Sequence, residues 1–344
     1  MSLIGYILKR ILVMIPVVFG VLTITFFLSR LMAGDPIIQL IYQAQVKPEK
    51  DNFAVYWQIF YQLGLDQPLY IQYFRYIADI FTGNWGVSVY YARGSKVWEL
   101  IMLRLPKTID LALFSMVISI LLGMKIGIIT AKHRNKIRDI IFRSFAIIGA
   151  AFPVFLLGML LQYYLGDQLN LFPRSYYKSF EYADPPFVSG FYIIDAILAG
   201  QLYKIPDYLY HLILPVFCLS FVSIASLVRQ TRSSMLEILQ QDYIRTARAK
   251  GCKDKIVINR HALKNSLFPT ITVIGFNFAS LLSGTVILES TFALPGLGSM
   301  LVDATLKQDY WVINVCMVVI AFIYVFTVLI IDIFYAVIDP RIRY

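Results

Sequence analysis

The sequence predicts an all-α membrane protein with six transmembrane helices. Of its 344 residues, 58% are hydrophobic and only 15% are charged, whereas about 25% of the residues in a soluble globular domain are charged. The apolar residues are concentrated in six long runs, and a helix needs about 20 such residues to cross the hydrocarbon of a bilayer. Six runs in one chain exclude a soluble protein. The predicted spans cover residues 11–29, 109–131, 144–166, 208–228, 265–288 and 310–331.

The positions of Lys and Arg predict the orientation, because short loops rich in these residues stay in the cytoplasm. With the N-terminus inside, the inner segments are strongly basic, whereas the outer segments contain a slight excess of acidic residues. We therefore expect a multi-pass protein of the cell membrane with both termini in the cytoplasm. Topology and contact with the lipid bilayer account for the net charge of +10, which indicates no nucleic acid partner. The basic inner segments are Lys9 with Arg10, residues 132–143, residues 229–264, and Arg341 with Arg343.

The outer region, 31–107, is mixed in polarity and interrupted by Gly and Pro, which predicts short packed helices. Two segments, Val55 to Leu63 and Tyr70 to Phe81, alternate apolar and polar residues at helical spacing. They lie along the membrane surface or contact a partner above it. The sequence leaves both interpretations open.

The inner segment from Arg229 to Lys264, named here the basic loop, is predicted to contain two helices. Met235 to Lys250 lacks Pro and Gly, and Gly251 stands where a helix C-cap is expected. A second short helix is expected from Lys255 to Leu267. The alternative interpretation is a solvated polybasic loop held to anionic lipid.

One face of the first helix in the basic loop combines small residues with charged neighbours. Tyr243, Ala247 and Gly251 follow one another at intervals of four and therefore share a face, and Asp242 and Arg248 flank it. Small residues let another surface approach closely. Because this helix lies between two spans, it is placed to transmit a push from a cytoplasmic partner into them.

Two runs in and beside the basic loop, DYIRTARAKG (242–251) and RHALKNSLFP (260–269), resemble the cytoplasmic coupling motif of ABC importer permeases. The likeness is to the peptide/nickel-type subfamily, and in particular to the B-subunits of dipeptide and oligopeptide permeases. Arg245 and Lys264 depart from the general motif, which usually has Glu and Pro there, and both departures match this subfamily. Other matching elements extend over the whole chain: YILKRILVMIPVVFGV, GDP at 34–36, LGLDQPLYIQYFRY, GNWGVS, RLPKT, FALPGLGSMLVDA and the terminal DPRIRY.

The resemblance implies a type I ABC importer permease fold, with residues 1–344 as a single permease domain and a coupling helix in the basic loop. That helix would dock into a cleft on an ATPase subunit. Thr246, Ala247 and Gly251 occupy the motif's small positions, and His261 and Leu263 its distal apolar positions. The complete docking set expected from the resemblance is Asp242, Tyr243, Arg245, Thr246, Ala247, Gly251, His261 and Leu263.

The resemblance also implies an ATP-driven importer, with this chain forming half of the translocation path. The implied partners are a second permease subunit, two ATPase subunits and an extracytoplasmic substrate-binding protein. The implied cargo is di- or oligopeptides; nickel chelates and oligosaccharides are alternatives, and an ATP-independent secondary transporter is a further one. The chain contains no Gly-Lys pair and hence no P-loop. We therefore expect no cofactor and no catalytic or metal site in this chain, and ATP and Mg²⁺ bound by the partner subunits.

The fifth predicted span contains a narrow stripe of small and polar residues at Asn277, Ser280 and Gly284. This stripe faces the translocation path or, alternatively, belongs to ordinary helix packing, where small residues are common. Two acidic residues, Glu289 and Asp332, lie at span ends. A salt bridge or a capping contact is the favoured role for each, and participation in gating is the alternative.

Overall fold

The chain folds into a bundle of α-helices in the computed structural model, which describes residues 3–31, 57, 60, 61 and 64–338. Within these residues the only β-type contact is an isolated bridge between Val87 and Lys96, so the predicted all-α class is confirmed. Helices α5 and α9 each continue into a π-helical turn, formed by Gln162–Gln168 and Val257–Ala262. In chain order the helices are α1 (Leu3–Leu31), α2 (Leu69–Thr82), α3 (Val97–Lys132), α4 (Ile137–Ala151), α5 (Val154–Leu161), α6 (Tyr192–Leu198), α7 (Ile205–Leu239), α8 (Asp242–Ala249), α9 (Asp254–Ile256), α10 (Leu263–Thr291), α11 (Leu297–Leu306) and α12 (Tyr310–Ile338).

Five helices in the described part of the chain are long and apolar enough to cross a membrane, and the bent pair formed by α4 and α5 makes a sixth if it counts as one span. The chain is thus a multi-pass membrane protein, as predicted. The five apolar stretches are Ile7–Leu28, Val97–Lys132, Leu202–Leu239, Pro269–Thr291 and Tyr310–Ile333.

The third predicted span, 144–166, is not one continuous helix. The axes of Ile137–Gly149 and Val154–Gln168 differ in direction by 103°. Pro153 has no N–H to donate and disfavours the α conformation in the residue before it, and Phe152 accordingly has extended backbone angles (φ −85°, ψ 127°). The apolar run continues across the bend, so hydropathy alone predicts a straight helix.

Several predicted boundaries also differ from those of the helices. The second predicted span begins at residue 109, but α3 begins at Val97 and takes in the end of the predicted outer region, 31–107. Of the two predicted outer helices, the one at Tyr70 to Phe81 is present as α2. The other, Val55 to Leu63, lies outside the described residues except for positions 57, 60 and 61, as do the GDP element and the C-terminal DPRIRY.

The close contact between α3 and α7 forms the centre of the bundle. Small buried residues follow one another along α3 at spacings of three or four, from Ala112 to Gly127. A Cβ added to Gly123 would lie 2.6 Å from the Cβ of Leu227, and a Cβ added to Gly127 would lie 2.6 Å from the Cβ of Thr231. The two helices therefore approach more closely than any larger side chain permits, as is common between helices in membranes.

The loop 84–96 is held to the start of α12 by the buried carboxylate of Asp309. One oxygen, Oδ2, accepts hydrogen bonds from the Ser88 hydroxyl at 2.7 Å and from the backbone N–H groups of Val89, Tyr90 and Tyr91, each at 2.9 Å. Asp309 has no solvent exposure. Its negative charge balances the partial positive charges of three aligned peptide N–H groups, and so fixes an irregular segment.

Glu289 and Asp332 have the roles favoured by the sequence. The buried Glu289 carboxylate accepts hydrogen bonds from the N–H groups of Gly298 at 2.7 Å and Ser299 at 3.1 Å, and so caps the start of α11. Asp332 on α12 forms a 3.0 Å salt bridge with Arg10 on α1. Both carboxylates thus join neighbouring elements.

The segment between α5 and α7 rests on a cluster of tyrosines. The rings of Tyr192 and Tyr208 are stacked, with centroids 4.4 Å apart, and Tyr177 contacts both edge-on. The Tyr208 hydroxyl donates a 2.8 Å hydrogen bond to Asp110 on α3. This cluster fixes α3 and α7 to each other at the ends opposite the basic loop.

Asp195 holds the turn before α6, just as Asp309 holds the loop 84–96. The Asp195 carboxylate accepts hydrogen bonds from the N–H groups of Val188, Ser189 and Gly190 and from the Ser189 hydroxyl. Burial alone would raise the pKa of Asp195, but these hydrogen bonds outweigh it and hold the pKa below its ordinary value. The carboxylate therefore stays ionised at neutral pH.

Gly127→Leu should disrupt the contact between α3 and α7, because the new side chain would overlap Thr231. We expect a loss of about 1–3 kcal/mol in stability, the usual effect of overpacking, measured as a lower thermal midpoint of the purified protein. Gly20→Leu on α1 is the matched control, since an added Cβ there meets nothing within 4 Å. Equal thermal midpoints for the two variants would contradict the proposed packing role.

Asp309→Ala should release the loop 84–96, because four hydrogen-bond donors of that loop lose their acceptor, at a cost of about 2 kcal/mol or more. We expect faster trypsin cleavage after the exposed residues Arg93 and Lys96. The control is Asp303→Ala, which removes an exposed carboxylate from α11. Unchanged cleavage in the Asp309 variant would show that the carboxylate does not hold the loop.

Candidate functional site

The basic loop forms a compact structure whose helices differ from those predicted. Helix α7 continues past the predicted span to Leu239, and the chain then turns at Gln240 and Gln241 before α8 begins at Asp242. The predicted helix from Met235 to Lys250 is therefore divided. The sequence has no Pro or Gly at this turn. The turn allows α8 to fold back and bury its apolar side.

The predicted end of the helix at Gly251 is confirmed. Gly251 has a φ of +75° and its N–H bonds to the Arg248 carbonyl at 2.9 Å, while the Cys252 N–H bonds to the Ala247 carbonyl at 3.2 Å. This pair of hydrogen bonds is a Schellman motif, whose left-handed position favours glycine. Open space surrounds the position, so backbone conformation rather than crowding requires glycine here.

A buried apolar cluster attaches α8 to the rest of the bundle. Ile244 has no exposed area, and its burial contributes about 2 kcal/mol relative to exposure. The cluster joins the end of α3, the end of α7, α8 and the segment leading into α10. Its buried members are Ala131, Met235, Ile244, Ala247, Val257, Ile258 and Ala262.

Ala247, which the resemblance places in the docking set, is a buried member of this cluster, and its part in docking stays a prediction. Only 9% of Ala247 is exposed, because its methyl group packs against the chain itself. Leu263 is likewise partly buried against the cluster, and His261 is half-buried nearby. Ala247 thus lies on the side of α8 that attaches the helix to the bundle, whereas Thr246 and Gly251 are exposed.

The outward side of α8 consists of polar residues. The side chains of Asp242 and Arg245 are 94% and 74% exposed and lie 3.4 Å apart, a separation and exposure typical of a weak surface ion pair. Thr246 is also exposed. Tyr243 is 42% exposed, and its hydroxyl accepts a 2.9 Å hydrogen bond from the Asn265 amide. Tyr243 therefore contacts α10 while part of its ring faces outward.

Asn265 and the ion pair between Asp139 and Arg232 are not among the residues predicted from the sequence. Asp139 on α4 accepts two hydrogen bonds from the Arg232 guanidinium on α7, at 2.7 and 2.8 Å, and a third from the Asn135 N–H at 3.0 Å. Asp139 is 1% exposed. The available signal was a single acidic residue in an otherwise basic segment, 132–143.

The candidate path residues on α10 differ in their surroundings. The Asn277 amide lies 3.5 Å from the Ser223 carbonyl of α7, at the limit of a hydrogen bond. An added Cβ at Gly284 would lie 3.1 Å from Leu219 of α7. Ser280, in contrast, is exposed and belongs to an uncovered stripe of α10. That stripe consists of Phe276, Ser280, Ser283, Ile287 and Ser290.

Comparison with known proteins agrees with this architecture. Residues 123–344 match the family model described as binding-protein-dependent transport system inner membrane component. Residues 3–112 match the model for the N-terminal part of such membrane components.

Curated relatives match over nearly their whole length. A probable D,D-dipeptide transport system permease protein of Escherichia coli K12 is 39% identical, over 95% of this chain and 94% of its own. A dipeptide transport system permease protein of Alkalihalophilus pseudofirmus is 36% identical, over 99% and 100%. An oligopeptide transport system permease protein of Bacillus subtilis is 35% identical, over 99% of both chains. The chain therefore belongs to the family of inner membrane components of binding-protein-dependent transport systems.

Proposed function

We propose that this chain is a membrane-spanning subunit of an ATP-driven importer of di- or oligopeptides. It forms half of the translocation path, and α8 transmits the closure of an ATPase subunit to the spans. The attachment of α8 carries this proposal, because one short exposed helix is fixed by a common cluster to α3, α7 and α10.

Force applied to the outward side of α8 has a short route into the membrane. Ile244 and Ala247 belong to the buried cluster that packs against the ends of α3 and α7. Tyr243 accepts a hydrogen bond from Asn265 on α10. The Asp139–Arg232 ion pair extends the connection from α7 to α4. Closely packed interiors transmit displacement rather than absorb it, so a shift of α8 moves several helices together.

The distribution of charge supports an orientation with the basic loop and both termini in the cytoplasm. Segment 132–143 and the basic loop both contain more basic than acidic residues, as retained cytoplasmic loops do. In this orientation α8 faces the compartment that contains ATP.

The chain's contribution to transport is mechanical rather than catalytic. With no Gly-Lys pair in the sequence, ATP and Mg²⁺ are bound, and ATP hydrolysed, by two separate ATPase subunits. A second permease subunit supplies the other half of the path. An extracytoplasmic binding protein delivers the cargo, in accordance with the family description.

The names of the relatives favour peptides as cargo. The three relatives described above are named for transport of D,D-dipeptides, dipeptides and oligopeptides. Nickel chelates, oligosaccharides and an ion-driven mechanism find no comparable support.

Reconstitution tests the proposal directly. The chain should be co-expressed with its genomic permease, ATPase and binding-protein partners and placed in liposomes. We expect uptake of labelled dipeptide that requires ATP and the binding protein. Uptake driven by an ion gradient without any ATPase, or uptake of nickel chelates in preference to peptides, would refute it.

Thr246→Trp should disrupt docking, because a large ring would occupy the outward side of α8 without touching the buried cluster. We expect binding of the ATPase subunits to weaken by at least about tenfold, equivalent to about 1.4 kcal/mol, measured by co-purification. Thr305→Trp is the matched control, since it introduces the same ring at an exposed site on α11. Wild-type binding by the Thr246 variant would exclude this side of α8 as the docking surface.

Ser280→Trp should block the translocation path while leaving the complex assembled, because Ser280 is exposed on the uncovered stripe of α10. We expect uptake to be lost with normal co-purification of the ATPase subunits. Ser144→Trp, at an exposed position on α4, controls for the bulk of the new side chain. Normal uptake by the Ser280 variant would assign the stripe to packing rather than to the path.

A further inference from the structure

Helix α2 has one polar side and an unusually wide apolar side. At 100° per residue, its four polar side chains fall within less than a quarter of the helix circumference. These are Gln72, Arg75, Asp79 and Thr82. The remaining positions of the helix are all apolar or aromatic.

Part of the apolar side packs against α1. The Tyr73 hydroxyl shares a 2.7 Å hydrogen bond with the Thr23 hydroxyl. The Phe26 ring contacts those of Tyr73 and Tyr76, with centroids 5.4 and 5.6 Å apart. These contacts fix the position of α2 relative to a membrane-spanning helix.

The contacts with α1 also define the depth of α2. Thr23 and Phe26 lie in the last turns of the apolar stretch Ile7–Leu28, which is just long enough to cross about 30 Å of hydrocarbon. Helix α2 therefore lies beside the end of a span, at the level of the bilayer boundary, and not above it.

The rest of the apolar side is uncovered. Tyr70, Phe74 and Phe81 share one face and are 64%, 65% and 60% exposed. At the end of the same span α1 also exposes Phe27 and Leu28. Such a surface is stable in contact with lipid and unfavourable in contact with water.

We propose that α2 is an interfacial helix, inserted along the boundary of the leaflet on the side opposite the basic loop. Tyr70, Phe74 and Phe81 enter the zone between headgroups and acyl chains, where aromatic side chains are favoured, and the polar side is turned away from the acyl chains and lines a pocket beside Trp311 and Asn314 of α12. Helices of this pattern bury their apolar face about 5–10 Å into the boundary. The occupant of the exposed face is thus lipid rather than a protein partner.

A depth measurement with spin labels tests this proposal. The three cysteines, Cys218, Cys252 and Cys316, are first replaced by alanine, and a single cysteine is then introduced at Phe74 or Phe81. The labelled chain is reconstituted, with its partner subunits, in liposomes. Thr82→Cys places the same label on the polar side of the helix.

We expect oxygen, which concentrates in lipid, to relax the labels at positions 74 and 81 more than a water-soluble nickel chelate does. The oxygen-to-nickel ratio should be several-fold higher there than at position 82. Equal ratios at all three positions would place this face in water and overturn the proposal.

A label inaccessible to both reagents would also overturn it, because a protein surface would then cover the helix. The uptake of dipeptide by each variant is measured alongside. A variant that transports normally and gives the expected oxygen-to-nickel ratio supports the interfacial helix. A failure of transport in all variants, including the cysteine-free parent, would count against the proposed function. The oxygen-to-nickel ratio would still decide whether α2 lies in the interface.

Discussion

The close approach of α3 and α7 is the contact on which the other elements depend. Glycine at positions 123 and 127 lets the Cβ atoms of Leu227 and Thr231 come within contact distance of the α3 backbone. Between lipid-embedded helices there is little hydrophobic driving force, so such packing is a main source of association. Helices α4, α5 and α10 pack against α7 in turn. The tyrosine cluster and the apolar cluster around Ile244 join α3 and α7 at their two ends.

Buried carboxylates organise the irregular segments around this centre. Asp309 and Asp195 accept hydrogen bonds from peptide N–H groups of loops, and Glu289 accepts them from the first turn of α11. Near a membrane an unsatisfied peptide group is costly, so each carboxylate stabilises a turn that would otherwise need water. These residues therefore act as structural anchors, and the polar surface of α8 is the proposed site of contact with a partner.

Much of this arrangement follows from the sequence, because hydropathy and helical spacing are local properties. The membrane-spanning runs, α2 and the glycine at the end of α8 could all be predicted on that basis. The GNWGVS element, in contrast, is explained only by contacts with residues far away in the chain. Gly86 lies against Trp311, and a Cβ added to Gly86 would come within 2.8 Å of the Trp311 ring. Ser88 donates a hydrogen bond to Asp309, which is 221 residues away in the chain. The turn at Gln241 and the burial of Ala247 likewise result from tertiary packing that no local pattern records.

The length of α7 has a geometric consequence for transport. Its 35 residues form a rod of about 52 Å, some 20 Å longer than the hydrocarbon it crosses. A tilt of only about 5° about its centre moves its two ends in opposite directions by roughly 2 Å each, given that length. A small angular change at the basic end is thus converted into a displacement at the far end, with no need for the helix to bend or unfold.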